Sequence, residues 1–591
     1  MPNEKPKNGT KAILKLIKYI GKHKISMLVS FLIAIIAALL AAIGPKILGG
    51  AIDQVYNDIM GEVLGTGGGV DFNKIYSIVI IILGLYLASG ILSYVQGHLM
   101  SRITAKVTYR MRKEADDKLH SLPLSYFDKT PHGEIQSRIS NDIDTLSMAL
   151  STSVVQTITA ITSIIAITII IFTINWELAI IALITIPISF VGIATIFNPS
   201  QKEYRRQQKD LGEVNSHIEE VFSGINIVRS FNSEDKMKEK FDKINDSLYN
   251  SAWKGSFMSG IMWPITNLVG NVGYVAVAIV GSFLAFAGTV TIGGIGALMM
   301  YMKLFNQPIT QVTNISNMYH QITAATERIF DFLAEEEESP DKFNAVLPEK
   351  NSPTDIEFNN VTFNYFEDTP VINNFSAKIK EGEKVAIVGD TGAGKSTLIK
   401  LLMRFYDVDS GEIKLGGINV GDYRRDDLRN KMSIAFQDTW LYNDTILENI
   451  RYGNLKATDT DVQNAAKIAG AHHFIRTLPN EYNMVLNEEF DNLSGGQKQL
   501  ITIARAVLAN PKILILDEAT SNIDSRTENT ILKSLNALMK GRITFIVAHR
   551  LSWVKNADLI LVIKDGSLVE QGKHAELLAQ NGEYAKMLQN K

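Results

Sequence analysis

The 591 residues contain no cysteine. That excludes disulfides, thiolate metal sites and a cysteine nucleophile. An excess of one charge is missing too. Lys and Arg number 59 against 62 Asp and Glu, for a formal net charge of −3. There is no overall basic field of the kind that attracts nucleic acid. A cleaved leader pattern is absent from the start, because lysines run on to Lys24 and the apolar run behind them is too long.

What is present is unevenly spread. Most long apolar runs fall before residue 323, and six are long enough, or nearly so, to cross a bilayer: roughly 26–50, 76–100, 154–174, 177–198, 263–288 and 293–316. Residues 51–75 carry Asp53, Asp58, Glu62 and Asp71 against one Lys74, whereas 101–150 and 199–255 are long, helical, polar and rich in Lys and Arg. Asn175-Trp176 leaves room only for a tight hairpin. The positive-inside rule then places both termini and both long polar segments in the cytoplasm. A bundle of buried soluble helices is the alternative reading. Ahead of the first span, residues 1–25 interleave Lys11, Lys15 and Lys18 with Leu14, Ile17 and Ile20. That pattern suits a helix on the inner membrane surface, or a solvated basic helix.

Polar residues inside the spans include Gln156, Asn267, Asn271 and Lys303. The plain expectation is interhelical hydrogen bonding for the amides and a snorkelling end-of-helix charge for Lys303. A translocation surface is the other reading. Met258, Met262, Trp263, Met299, Met300 and Met302 suit an adaptable apolar surface or a lipid face. Two short apolar clusters, Leu122 to Asp128 and Gly224 to Phe231, fall far from the spans and need a cover, which the soluble half is expected to supply. The linker, 323–353, holds Glu335 to Glu338 and then Ser339-Pro340, which reads as a solvated connector.

From residue 354 onward, strand, helix and turn signals alternate as in an α/β domain. Its centre is Gly389-Asp390-Thr391-Gly392-Ala393-Gly394-Lys395-Ser396, which comes after the apolar run Val385 to Val388 and opens a helical run at Thr397. Glycines let backbone N–H groups converge on phosphate oxygens, and the helix adds its positive end. Lys395 is placed to reach β- and γ-phosphates, and Ser396 to hold Mg²⁺. Tyr365 is a candidate for stacking on adenine, and Gln437, at a strand end, for Mg²⁺ and the attacking water. Ser494-Gly495-Gly496-Gln497 opens another helical run and makes a second anion-binding nest, unless it is a plain N-cap. One nucleotide does not fill two such nests, so two of these domains are expected to work face to face. Ile513 to Leu516 is a buried strand ending in Asp517 and Glu518. Asp517 would hold Mg²⁺ through water, and Glu518 would polarise the attacking water. Asp524 comes next, and His549 ends a further apolar strand, where it could donate to the γ-phosphate.

Together these residues resemble the half-transporters of the ABC exporter family along essentially the whole chain. Gly389 to Ser396 is similar to Walker A, Leu493 to Gln497 to the family signature, and Ile513 to Asp517 with Glu518 to Walker B and its catalytic glutamate. Tyr365, Gln437, Asp524 and His549 resemble the adenine-stacking aromatic, the Q-loop, the D-loop and the switch histidine. The two cytoplasmic clusters fall where the family's coupling helices lie. The resemblance implies an all-α domain of six membrane helices (26–322) fused to an α/β P-loop ATPase (354–591), working as a dimer. It further implies ATP sandwiched between one chain's Walker A and the other's signature, with Mg²⁺. Departures are Leu500 after Lys498-Gln499, a match before the signature at Glu488 alone, and Ser521-Asn522-Ile523-Asp524 in the D-loop. The pattern resembles the glutamate-bearing half of a bacterial heterodimeric multidrug exporter, although the signature is intact; a heterodimer is favoured over a homodimer. The expectation is ATP-driven export of amphipathic or lipid-like compounds across the bacterial inner membrane, with no nucleic-acid partner. A dedicated lipid or peptide exporter and a non-transporting membrane ATPase are the alternatives.

Overall fold

Long apolar runs without breaking turns fold as long helices, because helix is the structure that satisfies every backbone group within one segment. The computed structural model describes residues 9–65, 69–342, 353–365, 370–435, 439–486, 492–517, 534–536, 538–547 and 551–589, with backbone alone at a few helical positions such as Met262 and Trp263. The chain divides into two units, 1–120 with 132–335, and 121–131 with 336–591.

The first unit is helical. Its members are α1 (Gly9–Ile20), α2 (Lys24–Val63) and α3 (Phe72–Ser121). The short α4 (Leu124–Lys129) comes next in the chain but belongs to the second unit. Then come α5 (His132–Ile174), α6 (Trp176–Ser223), α7 (Ile225–Ser230), α8 (Glu234–Phe286) and α9 (Ile292–Ala334). Among the described residues, four segments are long and apolar enough to cross a membrane: Lys24–Val63, Phe72–Ser121, His132–Ile174 and Asn267–Phe286. The other two expected spans, 177–198 and 293–316, lie on α6 and α9. Asn175 makes the hairpin between α5 and α6, its side chain accepting from the Leu178 N–H at 2.9 Å.

Helix α1 is not free in solvent. It buries Ala12, Leu16 and Ile20, and Tyr19 donates to Glu114 at 2.7 Å with the Arg110 guanidinium 4.7 Å from its ring. Leu14 and Ile17 stay exposed beside the lysines, as a membrane-surface helix requires.

Helices α2 and α9 run antiparallel in close apposition. Gly49 meets Gly293, Asp53 accepts from the Gly293 N–H at 2.6 Å and from the Thr291 hydroxyl at 2.7 Å, and Tyr301 donates to the Ala42 carbonyl at 2.6 Å. A Cβ on Gly293 would sit 1.9 Å from the Gly49 carbonyl oxygen, which is backbone and has no rotamer to escape into. Gly293→Ala should therefore pry the helices apart and cost about 2 kcal/mol or more. Thermal unfolding in detergent checks this; an unchanged midpoint would show that the helices do not meet there.

The second unit holds β1 (Ile356–Asn364), β2 (Pro370–Ile379), β3 (Lys384–Gly389), β4 (Ser410–Leu415), β5 (Ile418–Asn419), β6 (Met432–Ala435), β7 (Ile513–Asp517), β8 (Ile543–Val547), β9 (Leu559–Lys564) and β10 (Ser567–Gly572). They form a sheet ordered β2-β1-β4-β5 and another ordered β10-β9-β3-β8-β7-β6. In the larger sheet β9, β3, β8, β7 and β6 are parallel. Their continuous apolar runs, Val385 to Val388, Ile513 to Leu516 and Ile543 to Val547, are buried, as strands covered on both faces must be. Parallel strands also gather the loops at their C-terminal ends along one edge of the sheet.

The linker corrects an expectation. It is not simply solvated. Arg425, 7% exposed, donates to the Ser339 carbonyl at 2.5 Å and to Asp341 at 3.2 Å, and Arg429 donates to Glu338 at 3.1 Å. The end of the acidic run, Glu338, and Asp341 are held by arginines of the ATPase domain, while Glu335 to Glu337 are exposed. Lys303 is a second correction. It lies within α9 rather than at its end, and its ammonium is 5.4 Å from the centre of the Tyr274 ring.

The candidate nucleotide site

Strand β3 ends at Gly389, where a Cβ would lie 2.3 Å from the Ile563 carbonyl oxygen, so only glycine fits against β9. The loop then curls through Gly392 (φ +87) and Gly394 (φ +98), and a Cβ on Gly394 would meet the Val371 carbonyl oxygen at 2.8 Å. Helix α10 (Lys395–Leu402) starts at once and is anchored by the buried Leu398, Ile399, Leu401 and Leu402. Lys395 is 7% exposed, and its ammonium donates to the carbonyls of Gly389 and Asp390 at 2.8 and 2.7 Å. The charge is thus held over the loop, where Asp390, Thr391 and Ser396 are at least partly exposed and Ala393 is buried. Thr397 accepts from the Tyr365 hydroxyl at 3.2 Å, which ties the expected adenine platform to the phosphate loop.

The sheet register relates the loop to the acids. Ile387 pairs with Val547, and Val547 pairs with Asp517. Asp517 therefore lies on the loop's edge of the sheet, two strands away, or about 10 Å. The carboxylate of Asp517 and the exposed hydroxyl of Ser396 are hard oxygen donors of the kind Mg²⁺ takes. Gln437, Glu518, Asp524 and His549 lie outside the described residues.

Helix α11 (Gly495–Ala509) carries the signature. Its start is a complete capping box. The Gln497 N–H donates to the Ser494 hydroxyl at 3.3 Å, and the Ser494 N–H donates to the Gln497 side chain at 2.9 Å. The plain N-cap is therefore formed, and Gly495 faces open space.

Sequence reasoning missed the groups around Tyr365. Phe363 and Tyr406 lie edge-on to it, with ring centres 5.0 and 5.2 Å away, and the Lys400 ammonium is 5.6 Å from its centre. Tyr406 in turn donates its hydroxyl to Asp128 of α4, and Lys400 reaches the same carboxylate at 3.3 Å. Burial, and then the Asp128 carboxylate, push the Tyr406 phenol well above its ordinary range, so it remains a donor. Asp128 is visible in the sequence as the last residue of an apolar cluster; its charge is the signal that points to a partner.

The other cluster behaves differently. Phe222, Ile227 and Phe231 are exposed. So are Trp440, Tyr442 and Tyr452, a chain of neighbouring rings with centres 4.2 and 4.8 Å apart. Arg505 backs them, 5.3 Å from Tyr452 and donating to the Asn449 carbonyl at 2.9 Å.

Comparison with known proteins agrees with both units. Residues 27–309 match the family described as ABC transporter transmembrane region, and residues 372–521 match the one described as ABC transporter. The chain is 41% identical, over 90% of its length and 84% of the relative's, to a fatty acid ABC transporter ATP-binding/permease protein of Mycobacterium bovis. It is 35% identical to an uncharacterized ABC transporter ATP-binding protein of Bacillus subtilis, over 98% of this chain and 94% of that one. It is 36% identical to an ATP-dependent lipid A-core flippase of Syntrophus aciditrophicus, over 85% and 84%.

Proposed function

The chain belongs to the ABC transporter family, and on that premise we propose that it exports amphiphiles with long acyl chains as one half of a dimer. It is a membrane-embedded transporter that binds and hydrolyses ATP. The observation that carries the proposal is the place of α4. Its segment, 121–131, is part of the ATPase unit, while the chain on both sides of it belongs to the membrane unit. Asp128 fastens that segment beside Tyr365, where the base of ATP would stack. A change at the nucleotide therefore has a short path to two membrane helices. Two relatives named for fatty acid and lipid A-core support the substrate class.

Within the site, Gly389 to Thr397 would wrap the phosphates and Lys395 would neutralise them. Ser396, Asp517 and Gln437 would hold Mg²⁺, whose charge screens the β- and γ-phosphates. Glu518 would orient water, His549 would contact the γ-phosphate and Asp524 would serve the dimer seam. Ser494 to Gln497 would close on the partner's ATP. Half-transporters function as dimers, and the exposed Phe222, Ile227 and Phe231, like the exposed rings of Trp440, Tyr442 and Tyr452, suit cover by a second chain. The departures at Leu500 and Asn522-Ile523 favour a partner of different sequence. A species of twice 65.5 kDa with full turnover from this chain alone would instead mean a homodimer.

The test is Glu518→Gln in proteoliposomes with a fluorescent acyl lipid. ATP binding should persist while turnover falls about a hundredfold or more, and lipid movement should stop with it. Unchanged turnover in a dimer of this chain would remove Glu518 from its role. Turnover without any movement of lipid would remove the transport reading.

A further inference from the structure

Lys303 is the one Lys, Arg, Asp or Glu deep within the six apolar stretches; Lys46 and Glu177 are the others, and they lie near stretch ends. Its depth is set by the helix pairing. Thr291 and Gly293 are level with Asp53, and Tyr301 is level with Ala42. Lys303, just past Tyr301, is thus level with the middle of the first span. It is twelve residues from Thr291, or about 18 Å at 1.5 Å per residue, in a hydrocarbon layer about 30 Å thick.

Met300, Lys303, Leu304 and Gln307 are exposed and share one face of α9 at helical spacing. Across from them on α8, Asn271 is exposed and Tyr274 half-buried, with its ring 5.4 Å from the Lys303 ammonium. Among the described residues Lys303 makes no ion pair. A cation at this depth facing acyl chains would be expensive, and such groups face a bundle interior or a water-filled path instead. An aromatic face steadies a cation without neutralising it. Tyr274 thus supplies no counter-charge to Lys303, and amide and phenol groups on the two helices offer further hydrogen-bonding groups.

We infer that Lys303, with Tyr274, Gln307 and Asn271, is the recognition site for the anionic head of the exported amphiphile, a carboxylate or a phosphate, whose acyl chain lies along Met300 and Leu304. The inference rests on the exporter reading and specifies its substrate.

The test measures ATPase stimulation of the reconstituted transporter by four single-chain amphiphiles of equal length: palmitate, palmitoyl lysophosphatidic acid, hexadecanol and palmitoylcholine. The unmodified protein should respond to one or both anions at lower concentration than to the neutral or cationic compound. Lys303→Met, which keeps the stem and removes the charge, should raise the half-maximal concentration of the effective anion at least about tenfold. Basal turnover should stay unchanged, and Lys303→Arg should restore most of the response. Whether palmitate or the lysophosphatidic acid is lost shows which head is read. A Lys303→Met protein that responds to all four as the unmodified one does would overturn the inference and leave export standing. So would an equal loss of response to all four, which would make Lys303 a structural contact. Failure of every amphiphile to stimulate the unmodified protein would overturn the exporter reading with it.

Discussion

Lys395→Met should lower ATP turnover by at least about a hundredfold and leave the ATPase domain folded. The reason lies in what the lysine touches. Its stem is buried, and its ammonium spans the carbonyls of Gly389 and Asp390 at the start of the phosphate loop. Methionine fills the space of that stem but brings no charge and no donor. The two carbonyls lose a partner, yet they lie at an open loop where water replaces it, at a cost of about 1 kcal/mol each. The curl of the loop itself is set elsewhere, by the positive φ of Gly392 and Gly394 and by the seat of Gly389 against Ile563. What disappears is the fixed positive charge where the β- and γ-phosphates would lie. Phosphoryl transfer depends on such positioned charge more than on covalent chemistry. Arginine should not rescue, because its planar fork is larger and less deformable than an ammonium in a buried seat. Steady-state turnover at saturating Mg-ATP, with the thermal midpoint as a control for folding, decides the matter. Turnover within tenfold of the unmodified protein would remove Lys395 from the site.

That loop was legible in the sequence because its geometry constrains residue type directly. A backbone forced to positive φ or pressed against a carbonyl has to be glycine, and the glycines stand at fixed spacing. The long helices were legible for a similar reason, since a lipid solvent leaves a plain compositional mark. Partner choice left no such mark. Asp128 and Tyr406 are 278 residues apart, and Arg425 and Asp341 are 84 apart. Nothing local announces either pair. Glu338 reads as solvated because it ends a run of like charge, and the arginines that pair with it come from a different part of the chain. Lys303 looked like a helix-end charge for the same cause: depth in a bundle is fixed by the pairing of α2 with α9, not by the residues around it.

The pairing at Asp128 carries the second large effect. Asp128→Ala should leave most of the basal ATPase and lower transport several-fold, up to about tenfold. The carboxylate accepts from Tyr406 and from Lys400, and both side chains border Tyr365. The Lys400 pair is a third to nearly half exposed at its two ends, so screening leaves it worth little. The Tyr406 bond is charge-assisted, but its carboxylate is nearly half in solvent, which puts it at about 0.5–1.5 kcal/mol. Losing that much shifts the ratio of docked to undocked α4 by roughly 2- to 12-fold. None of the phosphate-binding groups is touched, so hydrolysis continues while less of it reaches the membrane helices. Tyr406→Phe removes the same bond from the other side, and the double variant should be little worse than either single one. Asp128→Asn keeps an acceptor without the charge and should fall between. The measurement is lipid moved per ATP hydrolysed in proteoliposomes. An Asp128→Ala protein that keeps the unmodified ratio would show that α4 does not carry the stroke. A protein that loses ATPase in step with transport would place Asp128 in support of the nucleotide site rather than between it and the membrane.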